Sequence, residues 1–150
     1  MYRDRYIAHL ASEEFIDRQK AAARVVASGQ ATQSRANAEL RPFMRLACDL
    51  DADLPWIRDE VAGLREPVPV VYGQWADPGE RLARMWLADD LCPRPAVVTA
   101  LTKARDRALQ RAEAEPARWP RASRLIALAW AYDCQPYASV APPPLQRAAA

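Results

Sequence analysis

Histidine is nearly missing from this chain: His9 is the only one in 150 residues. A Ser-His-Asp or Cys-His arrangement would have to use it, and it sits between Ala8 and Leu10 in an amphipathic segment. Glycine is scarce, at four residues. That excludes a phosphate-cradling glycine loop and argues against the turn density of a β protein. Cys48, Cys92 and Cys134 are odd in number and far apart, which fits neither a disulfide framework nor the close ligand pairs of a zinc site. Lysine occurs only as Lys20 and Lys103, so the basic side is arginine, and the formal net charge of +2 assigns no partner by itself. No run reaches the ~20 apolar residues of a membrane span, and Met1-Tyr2-Arg3-Asp4-Arg5 leads into an amphipathic segment with no secretory signal. These absences set the expectation of a cytoplasmic protein with reduced cysteines, no membrane partner, no metal, no cofactor and no enzymatic activity.

What is present points to helices. Hydrophobic residues make up 51% of the chain and many are alanine, with five tryptophans (Trp56, Trp75, Trp86, Trp119, Trp130) as the bulky pieces. The predicted fold class is all-α, with about five or six helices. It consists of an N-terminal helical hairpin, a proline-rich extended arm, and a C-terminal helical unit with a helix-turn-helix-like element. Residues 1–135 are expected to form one compact domain: hairpin 1–50, arm 66–76, helix-turn-helix-like unit 77–111 and last helix 120–134. Residues 136–150 read as a disordered tail rich in proline and alanine.

Within the hairpin, residues 2–28 read as helix, with a short piece to Leu10 running into a longer one capped by Ser12 and stopped at Gly29. Ile7, Ala11, Phe15, Ala22, Val25 and Val26 fall on one face. Thr32 caps a second helix that turns Ala36, Leu40, Phe43, Ala47 and Leu50 inward. Pro42 lies inside that helix, where it removes a backbone hydrogen bond, so a kink or break is expected between Leu40 and Phe43. Pro55 opens a short helix to Leu64, and the prolines of Glu66–Gly73 hold the arm extended.

Asp49, Asp51, Asp53 and Glu60 match the ligand spacing of a calcium loop, but Leu54 and Pro55 obstruct its sharp turn, and no calcium site is expected.

The stretch that organises the chain is Asp77–Arg111. Asp77, Pro78 and Glu80 give a well-formed helix start, and Cys92-Pro93-Arg94-Pro95 makes a turn before a long basic helix from Ala96. Ala88 sits at the crossing, with Val98 and Leu101 inward, as in a helix-turn-helix. Charge is distributed accordingly: residues 51–77 carry two basic and six acidic groups, whereas residues 78–111 carry seven basic and four acidic ones. Arg94, Thr99 and Lys103 are expected to reach base edges, and Arg105, Arg107 and Arg111 to grip phosphates. Asp89 and Asp90 count against this reading, and Cys92 stands where such turns carry glycine.

Two functions follow. One is a small DNA-binding regulator acting on duplex DNA. The other is a helical protein–protein adaptor or assembly component, for example of a mobile element or phage. Its contacts would run through a protein partner, or through self-association by the N-terminal hairpin or the Val68–Trp75 arm.

Overall fold

The structure, a computed structural model, describes residues 5–52, 92–132 and 134. The arm at 66–76, the first helix of the helix-turn-helix-like unit, the 55–64 helix, Asp53, Glu60 and the 136–150 tail lie outside the described residues. Among the described residues there are four α-helices and no strand: α1 (Arg5–Ala27), α2 (Gln33–Asp49), α3 (Arg94–Ala114) and α4 (Trp119–Ala131), with a 3-10 turn at Pro116–Arg118. The chain divides into two units, Met1–Val97 and Val98–Ala150, and the division falls inside α3.

In the first unit, α1 and α2 pack as a helical hairpin. Its turn is set by Gly29, whose φ of +77° is the left-handed conformation that glycine adopts without cost. The Gly29 N–H donates to the Val26 carbonyl and the Gln30 N–H to the Val25 carbonyl, at 3.1 and 3.0 Å, so α1 closes with a Schellman motif. Thr32 then caps α2, its hydroxyl accepting from the Arg35 N–H at 3.1 Å. Ser12 is not a cap. It lies mid-helix, its hydroxyl donating to the Ala8 carbonyl at 3.0 Å, and α1 runs unbroken from Arg5. Nor does Pro42 break α2, which continues through it to Asp49.

Burial deepens away from the hairpin turn. The buried positions of α1 are confined to Ala8–Phe15, whereas residues 16–27 of the same helix are half-buried or exposed. In α2, Phe43 to Cys48 are all buried, so this part of the helix is enclosed on every side. Burying Phe43, Met44 and Leu46 contributes about 1.5–3 kcal/mol each. Charged side chains sit among or against them. Glu14 has no exposed surface, and its carboxylate accepts from Arg18 Nε at 2.7 Å. The Arg18 guanidinium in turn lies 3.5 Å from the centroid of the Phe43 ring. Arg45 is buried as well and is described below.

In the second unit, Leu109 and Ala112 of α3 meet Ala122 and Ile126 of α4, with Ala108 and Trp119 at the edges. Arg118 closes the connection, donating from Nε to the Glu115 carboxylate at 2.6 Å. Pro120 stands in the first turn of α4, where its missing N–H leaves nothing unpaired. Leu125, Ile126, Leu128, Ala129 and Tyr132 are buried, the surface expected of the last helix.

Candidate nucleic-acid interface

The site proposed from sequence rests on α3, and the structure sorts its residues by face. The helix begins at Arg94, two residues before the expected Ala96. The Pro93 carbonyl accepts from the Ala96 and Val97 N–H groups at 3.0 and 3.4 Å, and Pro95 takes a first-turn position that asks for no donor. The residue leading into this turn is held from α2. Arg45 Nη1 donates to the Cys92 carbonyl at 2.9 Å while its Nε donates to Asp49 at 2.8 Å.

Val97, Leu101, Arg105, Leu109 and Ala112 are buried, spaced by four, four, four and three residues, which is one stripe of an α-helix. The deepest early position is thus Val97; Val98, expected inward, is half-buried. The opposite stripe holds Thr99, Lys103, Arg107 and Gln110, all exposed, with exposed Arg111 on its flank. Thr99 and Arg111 are twelve residues apart, roughly 18 Å along the axis. Arg94 is exposed at the first helical position, but at 100° per residue it falls in register with the buried stripe and stands at the helix end, off the outer face.

Arg105 is a correction. Expected to grip phosphate, it is 3% exposed, and its Nε donates to Asp106 Oδ1 at 3.1 Å. Its position is four residues from both Leu101 and Leu109, so helical geometry puts it inward whatever its charge. Of the three arginines expected to grip phosphate, Arg107 and Arg111 are exposed.

The electrostatics of the outer stripe follow from what flanks it. No carboxylate occurs between Arg94 and Arg105, Asp106 is engaged by Arg105, and Glu113 lies near the C-terminal end. Asp89 and Asp90 lie outside the described residues.

Elsewhere, His9 is exposed, with Nε2 3.2 Å from Glu13 Oε1. Asp49 ends α2 and accepts from Arg45, and Asp51 follows in the left-handed conformation with φ 62°. The three cysteines are buried, and none forms a disulfide with another. Burial pushes the Cys92 thiol above its ordinary pKa, a shift opposed by the nearby Arg45 and Arg41 guanidinium groups and reinforced by Asp49. No helix among the described residues is long and apolar enough to cross a membrane. The sequence reading missed the buried Glu14 and Arg45. The signal available for both was a carboxylate and an arginine one helical turn apart, Glu14 with Arg18 and Arg45 with Asp49. No family model, no curated protein and no solved structure matches this chain.

Proposed function

We propose that the chain is a small cytoplasmic regulator that binds duplex DNA through the helix-turn-helix-like stretch Asp77–Arg111, with α3 presented to the major groove. The observation that carries this reading is the exposed outer stripe of α3, where Thr99, Lys103 and Arg107 stand one turn apart with Arg111 beside them and no carboxylate between Thr99 and Arg105. Lys103 and Thr99, nearer the start of the helix, read base edges together with Arg94, which stands at its mouth. Arg107 and Arg111, further along, hold phosphates and set affinity on any sequence. No catalytic step, metal or cofactor belongs to this function.

The second reading, a protein–protein adaptor, is favoured by one feature. Trp130 of α4 is 56% exposed, and a large exposed aromatic side chain suits a protein contact better than a phosphate one.

Fluorescence anisotropy of the full chain on duplexes of mixed sequence, at two salt concentrations, separates the two. DNA binding that weakens with salt, and loses about one unit of salt slope on Arg107→Ala, supports the regulator. Absence of binding at low salt, or binding untouched by Arg94→Ala, Lys103→Ala and Arg107→Ala together, moves the assignment to the adaptor.

A further inference from the structure

Lys103 stands at the centre of the outer stripe of α3, and the two flanks beside it differ in charge. By helical phase, Arg107 and Arg111 turn about 40° and 80° to one side of Lys103, and Asp106 and Glu113 about 60° and 80° to the other. Lys103, Arg107, Arg111 and Glu113 are exposed, and the Asp106 side chain is 43% exposed. One flank is thus basic and the other acidic.

Asp106 is held from beneath. Arg105 is 3% exposed and donates from Nε to Asp106 Oδ1 at 3.1 Å, so a guanidinium fixed by packing fixes the carboxylate in turn. Lys103, three residues earlier, is the partner that helical spacing offers to this carboxylate. Yet Lys103 forms no ion pair among the described residues. The bond from Arg105 leaves a donor and an acceptor standing side by side on the outer face, their Cβ atoms about 5–6 Å apart.

We propose that Lys103 and Asp106 together read a G·C base pair in the major groove, Lys103 donating to guanine O6 and N7 and Asp106 accepting from cytosine N4. Arg105 is the positioning residue of the pair. This rests on the DNA-binding reading and adds its base preference. The charges of the two flanks set the orientation. Phosphates repel Asp106 and attract Arg107 and Arg111, so the basic flank turns to a phosphate strand and the acidic flank to the base edges. There a carboxylate needs an amino group. A G·C pair offers acceptors on its guanine side and a donor on its cytosine side, the complement of a lysine beside an aspartate. In an A·T pair the adenine N6 donor lies between acceptors, N7 and thymine O4, which repel a carboxylate.

Fluorescence anisotropy of the full chain on two duplexes of equal length, one built only of G·C pairs and one only of A·T pairs, tests the assignment. The native chain is expected to bind the G·C duplex about tenfold more tightly. Lys103→Ala, at an exposed position, is expected to remove most of that preference. Asp106→Asn replaces the carboxylate by an amide suited to adenine, so the preference should move toward A·T while the salt slope stays native. Arg105→Met, which releases Asp106, should narrow the preference at unchanged salt slope. An Asp106 that only neutralised Arg105 would change stability on substitution and leave the base preference as it was. No binding of the native chain to either duplex overturns the DNA reading and this proposal with it. Binding without a G·C preference, or a preference that survives any of the three substitutions, overturns this proposal and leaves the DNA reading standing.

Discussion

Arg45 of α2 reaches across 47 residues of sequence to the Cys92 carbonyl, and with its other nitrogen holds Asp49 one turn along its own helix. Both side chains of the ion pair are close to buried, at 9% and 11% exposure. Truncating one partner of such a pair leaves the other charge uncompensated. Arg45→Ala is therefore expected to lower the unfolding free energy by about 3–5 kcal/mol. Arg45→Lys keeps the charge but offers no planar fork for two acceptors, so its loss is expected to be smaller. Urea unfolding of the three proteins checks the order; equal stability of Arg45→Ala and the native chain would refute it.

The two helices of the hairpin end in the same motif with different residues. After α2, the Asp51 N–H donates to the Cys48 carbonyl and the Ala52 N–H to the Ala47 carbonyl, at 3.2 and 2.8 Å, repeating the pattern at Gly29. Asp51 thus occupies with φ 62° the position that Gly29 fills with φ +77°. A Cβ at Gly29 would meet nothing within 4 Å, so the cost of Gly29→Ala is purely conformational, about 1–2 kcal/mol. Gly29→Asn is expected to lose less. At Asp51 the comparison runs the other way. Asp51→Ala and Asp51→Gly both delete the carboxylate, and the glycine variant should be the more stable by about 1 kcal/mol. Thermal unfolding of the four variants gives both differences.

The hairpin was legible because its signals are local. Gly29 and Thr32 act through backbone bonds to residues at most five positions away, and a residue type names each role. Pro120 and the apolar set of α4 were readable for the same reason. Ser12 misled because a serine before two glutamates makes a good helix start only when no helix already runs through it. The break allowed for at Pro42 did not form, because its local cost, about 3 kcal/mol, is outweighed when Phe43 to Cys48 are buried on all sides. Glu14, Arg45 and Arg105 were out of reach of composition, which sends charged residues outward. What placed them inside is their phase relative to Phe15, Phe43, Leu101 and Leu109, a property of the helix and not of the residue.

Cys92 gives a pH dependence whose sign follows from its surroundings. Burial, the largest cause, raises the thiol pKa in the folded state. As pH climbs past the ordinary thiol value, the unfolded chain releases this proton before the folded one does. The folded state then binds more protons, and stability falls with rising pH until the folded pKa is passed. Below that window the thiol contributes no slope. Urea unfolding at about pH 7 and about pH 10 should show this loss, and Cys92→Ala should lack that part of it. An unchanged slope in the variant would assign the alkaline loss to other groups.

Arg105 and Arg107 stand two residues apart on the same helix and contrast sharply. Arg105 is enclosed in the stripe of Val97, Leu101, Leu109 and Ala112, while Arg107 is exposed on the other side. Truncating the buried arginine removes its packing and leaves the groups around it to be resolvated, so Arg105→Ala is expected to cost about 2–4 kcal/mol of stability. Arg105→Met, which keeps the length of the side chain without its charge, should recover part of that. Arg107→Ala touches nothing buried and should stay within about 0.5 kcal/mol of the native chain. In the proposed DNA binding the order is expected to reverse. Arg107→Ala lowers the salt slope by about one, and Arg105→Met, measured where it is fully folded, leaves the slope unchanged. Stability from urea unfolding and salt slope from anisotropy are read on the same three proteins. A salt slope reduced by Arg105→Met and not by Arg107→Ala would place the phosphate contacts on the wrong face of α3.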